Sequence, residues 1–166
     1  MAVAAISVVA FVINSLITSS KTEKTQELAL KAQQQNLDTR QAQLFMGFYD
    51  KLSSSEFNVN LLAIQDWKVE SLDDFMKMWT DVEKNRVWSS VFGVYEGIGV
   101  LVHEGLIDVR IVARYVGRMR YDWEQWGPFI LEARVLRKRP RMYIETEYLY
   151  ERLMEFGRRN PDYHIV

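Results

Sequence analysis

The chain carries two histidines, and imidazole is the side chain best suited to proton transfer and metal ligation near neutral pH. They are His103 and His164. A metalloprotease helix needs two His one turn apart with a Glu between them, and a di-iron bundle needs Glu-x-x-His on two helices. His103-Glu104 fits neither pattern. Standing at the end of an apolar run and before Gly105, His103 reads as a capping or surface residue. Cysteine is absent, which removes disulfide frameworks, thiolate metal sites and cysteine nucleophiles together.

Glu96 is the more interesting acid. It lies in the middle of VWSSVFGVYEGIGVLVH, where an unpaired carboxylate is costly. It either faces outward or pairs with Arg110, Arg114, Arg118 or Arg120, and a catalytic role is the chemical alternative. Asp73-Asp74 falls at a helix start, and Asp122 and Glu124 read as surface acids around Trp123 and Trp126. Neither spacing identifies the paired carboxylates of a hydrolase. Gly93-x-x-x-Gly97-x-Gly99 is no phosphate loop, because it lacks Gly-Lys-Ser/Thr and sits inside a helical pattern. Its small-xxx-small spacing suits close helix packing instead. The sequence thus offers no catalytic, cofactor-binding or metal-ligating set. An enzyme would have to be built around Glu96.

The elements that would position these residues are helical throughout. Residues 2–18, AVAAISVVAFVINSLIT, carry no charge. At about 1.5 Å per residue such a helix is ~26 Å long, close to the ~30 Å of a bilayer core. No Lys or Arg precedes it, and SLITSSKTEK is a poor cleavage context, so it reads as an anchor rather than a signal peptide, with a buried core helix as the alternative. Lys21, Lys24 and Lys31 follow it, which places the N-terminus outside and the rest in the cytoplasm. From Ser19 to Leu52 there is no Pro, and the only Gly is Gly47. This Gln/Glu/Lys/Ala-rich stretch is a helical stalk. Leu30, Leu37 and Leu44 recur every seven residues, but the second seam is Gln34 and Gln41 before Phe48. One apolar seam makes at best a weak self-association face, and a solvated or partner-covered helix is the other reading.

Beyond Ser53-Ser54-Ser55, an N-cap supply, a helix is expected from about Glu56 to Trp67, burying Phe57, Leu61, Leu62 and Ile64. Ser71 starts another, with Phe75, Met76, Met78, Trp79 and Val82 at helical spacing. A central buried helix runs from about Val87 to His103, and Gly105 and Asp108 cap a tight turn into a short helix. YDWEQWGPFILEARVLRKRP forms a longer helix, kinked or restarted at Pro128 and ended by Pro140. The last helix spans Glu145 to Phe156, closed by Gly157. The expected fold is all-α: a single transmembrane helix (1–18), a helical stalk (19–54), a compact cytoplasmic bundle of about six helices (55–157) and a tail (158–166).

The chain has 166 residues, 48% of them hydrophobic and 13% aromatic, enough to fill a core. Its net charge is −1, but the halves differ. Residues 1–105 sum to −4 and residues 106–166 to +3, with 11 of the 12 bases in the second half being Arg. Arg134, Arg137, Lys138, Arg139 and Arg141 cluster near one helix terminus, where the dipole favours them. A solvated face explains them, and so does contact with anionic lipid. With a slightly negative total and no recognised module, nucleic acid has little support. Trp123 and Trp126 crowd one helix face; if exposed, they are a candidate protein interface.

The landmarks in order are NLLAIQDW, an apolar helix ending in HEGLID, DWEQWGPFI and TEYLYERL behind an N-terminal anchor and stalk. Over roughly residues 1–155 this resembles an uncharacterised prokaryotic family of membrane-anchored helical proteins, known only as a domain of unknown function. The resemblance implies the fold and topology and no activity. Together these features point to a single-pass cell-membrane protein that acts by binding, as scaffold or accessory subunit. Its partners would be the membrane itself and another protein or a second copy of the chain.

Overall fold

The computed structural model describes residues 2–163, with side chains from residue 21 onward. It contains seven α-helices and one 3-10 turn, with no strand among the described residues: α1 (Ala2–Leu52), α2 (Ser55–Asp66), α3 (Leu72–Thr80), α4 (Val82–His103), α5 (Val109–Ala113), α6 (Met119–Leu136), α7 (Ile144–Arg159) and the turn Pro161–Tyr163. The all-α expectation holds, and six helices follow α1. Among the described residues no helix is long and apolar enough to cross a membrane. The run at residues 2–18 lies outside the residues whose side chains are described.

The chain divides into two units, Met1–Ala42 and Gln43–Val166. In the first, every side chain from Lys21 to Arg40 is exposed. The helix there is supported along its own surface by pairs one turn apart, Glu27–Lys31 at 2.7 Å and Gln34–Asp38 at 2.9 Å. Such pairs contribute a few tenths of a kcal/mol each. The stalk expected to reach residue 54 yields its last ten helical residues to the bundle, because Leu44, Phe45, Phe48 and Leu52 pack on the core. Leu44 therefore serves the fold, while Leu30 and Leu37 stay exposed.

In the second unit α4 is the central element. It packs on α7, α2 and α3, while α6 packs on α7 and α3, and α5 on α7. Trp88, Val91, Phe92, Tyr95, Ile98 and Val102 recur at helical spacing and are all buried, the pattern of a helix facing a core. α4 begins five residues earlier than its apolar run suggests. Asp81 closes α3 by donating its N–H to the Lys77 and Met78 carbonyls, then accepts from Glu83 and Lys84 N–H to open α4. At the other end Gly105 takes φ +65°. Leu106 N–H reaches the Leu101 carbonyl at 2.9 Å and Gly105 N–H the Val102 carbonyl at 3.1 Å, a Schellman stop that needs a left-handed residue.

The core is aromatic. Trp88 stacks on Phe92 at 3.9 Å and meets Trp126 edge-on at 5.1 Å. Its indole N–H donates to the Tyr143 hydroxyl at 3.0 Å. α4 and α7 approach closely at Gly99, where a Cβ would lie 2.1 Å from the Glu145 carbonyl oxygen. Gly97 instead faces Phe48, and Gly93 faces open space. Gly97 and Gly99 thus serve packing within one bundle, and Gly93 does not.

Several details differ from expectation. Leu62 is exposed rather than buried, as is Val82, since each falls off the inward stripe of its helix. α6 runs unbroken through Pro128; the ring is on the exposed side, where water can serve the carbonyl left without an N–H. α6 ends at Leu136, four residues before Pro140, and α7 continues through buried Gly157 to Arg159.

Candidate interaction surface at the end of α6

α6 carries most of the residues singled out for binding, and its two faces sort them. Met119, Asp122, Trp123, Trp126, Ile130 and Ala133 recur at helical spacing and are buried. Trp126 is 0% and Trp123 7% exposed, so neither is a surface anchor, and that expectation is corrected. Trp123 is admitted by Gly127, where a Cβ would come within 2.9 Å of its indole. The acids beside the tryptophans suggested a surface, but only Glu124 is outside.

Asp122 is inside, at 2% exposure. Tyr95 donates its hydroxyl to one Asp122 oxygen at 2.7 Å, Gln65 donates to the other at 3.5 Å, and Arg118 donates to the Gln65 side-chain oxygen. This chain of polar groups ties α2, α4 and α6 together. Burial pushes the Asp122 carboxyl above the usual Asp range, against the pull of the Tyr95 and Gln65 hydrogen bonds and the Arg118 charge. Burial, and then Asp122 itself, push the Tyr95 hydroxyl upward too.

The sign follows from linkage. An acid whose pKa is higher folded than unfolded contributes stability at low pH, and that contribution is lost as pH rises from about 3.8 through the folded value. Asp122→Asn keeps an acceptor for Tyr95 and removes the titration. Its stability relative to wild type, from urea melts, should improve as pH rises from ~4. A difference that stays flat across that range would show Asp122 ionising as it does unfolded.

Glu96 pairs with none of the arginines named for it. Its carboxylate accepts from Thr146 N–H and from the Thr146 hydroxyl, both at 2.8 Å. Thr146 lies in the first turn of α7, whose own N-cap, Tyr143, sits at φ 54° with no side-chain cap. Glu96 therefore caps α7 from another helix, where the dipole favours an anion. Sequence reasoning missed this because the partners are 50 residues apart; the one legible hint was a helix starting with no Ser, Thr, Asp or Asn at its cap. His103 is exposed, as expected of a surface residue. Its Nδ1 meets a Glu145 oxygen at 2.8 Å, and its ring stacks on Tyr148. Asp74 accepts from the Ser71 hydroxyl, whose hydrogen bond holds its carboxyl below the usual range, as befits a helix start. Among the described residues no group of three or more His, Asp or Glu could hold a metal ion.

The basic cluster divides. Arg134 is enclosed: Nε donates to the Met142 carbonyl at 2.7 Å, Nη2 to the Tyr143 carbonyl at 3.1 Å, and Nη1 pairs with Glu147. It fastens the turn between α6 and α7 and is not part of a free surface. Arg137 lays its guanidinium over Trp79, 5.4 Å from the ring centre. Lys138, Arg139 and Arg141 remain, all exposed, and none of them forms an ion pair among the described residues. Next to them Leu131, Val135 and Leu136 are 42%, 81% and 61% exposed. The arrangement is an apolar helix end crowned by three cations.

No curated protein and no solved structure matches the chain. A family described as a domain of unknown function, DUF4760, matches residues 1–153. That match covers the uncharged N-terminal run, the long helix after it, the Trp-bearing core and the first ten residues of α7, and the chain belongs to the DUF4760 family.

Proposed function

We propose that the chain is a single-pass, membrane-anchored helical protein that acts by binding, as a scaffold or accessory subunit of a membrane complex. Residues 2–18 are the anchor, on the strength of an uncharged run of near-bilayer length. Lys21, Lys24 and Lys31 just after it put the N-terminus outside and the bundle in the cytoplasm.

The observation that carries the reading is the stalk. Its helix exposes Leu28, Leu30 and Leu37 along a stretch with no buried side chain from residue 21 to 40. A helix of that kind gets little stability from packing of its own. A second copy of the chain, pairing through Leu30 and Leu37, fits the seven-residue repeat. Favouring this over an enzyme built on Glu96, that carboxylate is already engaged at the N-terminus of α7.

The test is the mass of the full chain in mild detergent. We expect a particle of more than one chain, falling to a single chain in Leu30→Lys/Leu37→Lys. Leu44 is left untouched because it packs on the core. A wild-type particle of one chain, or a variant particle of unchanged mass, contradicts pairing through this seam.

A further inference from the structure

We propose that the end of α6, residues 131–141, docks onto an anionic lipid surface, with Val135 and Leu136 entering the headgroup region and Lys138, Arg139 and Arg141 meeting the phosphates. The inference deepens the membrane-anchored reading, which supplies the bilayer, but it stands on the local geometry of this tip.

Three observations carry it. First, the exposed aliphatics and the cations are joined by one helix end. Leu131 and Val135 are one turn apart, and Arg139 N–H bonds back to the Arg134 carbonyl at 3.0 Å, folding the cationic turn against the last helical residues. Apolar side chains flanked by Lys and Arg are the composition that interfacial segments use, since burial in the acyl boundary and attraction to anionic lipid add together. Second, charge balance is one-sided. Between residues 125 and 144 there are five basic residues and one acid, Glu132, and the two arginines that bind protein, Arg134 and Arg137, are not the exposed ones. Complementarity calls for an anionic partner. Third, Lys138 occupies the left-handed position after the helix, at φ 54°. Lys138 N–H reaches the Val135 carbonyl at 3.2 Å, which completes the stop that glycine makes most cheaply. Here a cation stands where glycine would cost less, as expected if the charge itself is used.

The chain has no cysteine, so the test can use a single introduced thiol in the full-length protein. Val135→Cys carries an environment-sensitive fluorophore, and Val59→Cys, at an exposed position of α2, is the control. Each is reconstituted into phosphatidylcholine vesicles with or without phosphatidylserine, with brominated acyl chains as quencher. We expect the Val135 probe to be quenched at least about two-fold more when phosphatidylserine is present, and the Val59 probe in neither. Quenching should vanish at 1 M salt, where the Debye length is ~3 Å, and in Lys138→Gln/Arg139→Gln/Arg141→Gln.

Lys138→Gly separates structure from function. It should raise the melting temperature and weaken the quenching, whereas a purely structural lysine would leave the quenching unchanged. Equal quenching of the Val135 probe in both lipids, none in either, or indifference to the triple change overturns the proposal; an acidic protein would then be the partner of this tip. Flotation with neutral vesicles reports on the anchor separately. A chain that floats with both lipids while its probe stays unquenched fails on docking alone. A chain that floats only with phosphatidylserine fails on the anchor alone.

Discussion

Replacing Gly99 by Ala should destabilise the bundle by about 3 kcal/mol, at the upper end of overpacking costs, and lower its melting midpoint by roughly 10 °C. The new methyl would stand 2.1 Å from the Glu145 carbonyl oxygen and 2.5 Å from its carbon. Both belong to backbone, so no side chain can swing aside and the two helices must separate. The residue beside Glu145 is Thr146, held by Glu96 at 2.8 Å, so separation also strains the cap of α7. Gly93, six residues earlier on the same helix, has nothing within 4 Å of its would-be Cβ. Gly93→Ala should therefore stabilise by about 0.5–1 kcal/mol through helix propensity alone. Thermal melts of the two variants should move in opposite directions. A Gly99→Ala chain that melts with wild type would mean that α4 and α7 do not approach at this point.

Trp126→Ala should cost about 3–5 kcal/mol, the range for emptying a buried aromatic site. Trp126 is fully buried against Trp88, Phe75 and Trp67. Were it a surface interface residue, the same change would stay within ~0.5 kcal/mol. Its indole N–H is buried with no hydrogen-bond partner among the described residues. Trp126→Phe thus removes an unsatisfied donor along with some volume and should cost only about 1 kcal/mol. Urea midpoints of the three proteins measure the gap. An Ala variant as stable as the Phe variant would place Trp126 outside the core.

Much of the helical plan was legible in the sequence because caps are local. Ser54, Ser71 and Asp108 cap the helices they were expected to cap, and Gly105 takes the left-handed turn. The central, buried place of α4 was legible from its nearly uncharged run. What escaped was decided between elements. The start of α4 was hidden because its first turn, Val82 to Asn85, is polar apart from an exposed valine. Trp123, Trp126 and Asp122 looked exterior because Asp122 and Glu124 flank Trp123 and only Glu124 and Gln125 separate the indoles. Only the packing of α6 on α3 and α7 reveals that these residues share the inward face. Of the basic cluster, Arg134 was taken inward by Glu147 and two carbonyls that lie 8 to 13 residues on, which composition does not signal. Lys138, Arg139 and Arg141 remain outward, because the Schellman stop after α6 turns the chain before any acid follows.

The anchor is the central claim, and its most direct measurement is protease protection of a tag placed after Val166, read in intact cells and in inverted membrane vesicles, alongside extraction without detergent. The account predicts a chain that stays in the membrane fraction, with the tag protected in intact cells and cleaved in inverted vesicles. A tag cleaved from outside intact cells, or a chain recovered without detergent, would contradict it.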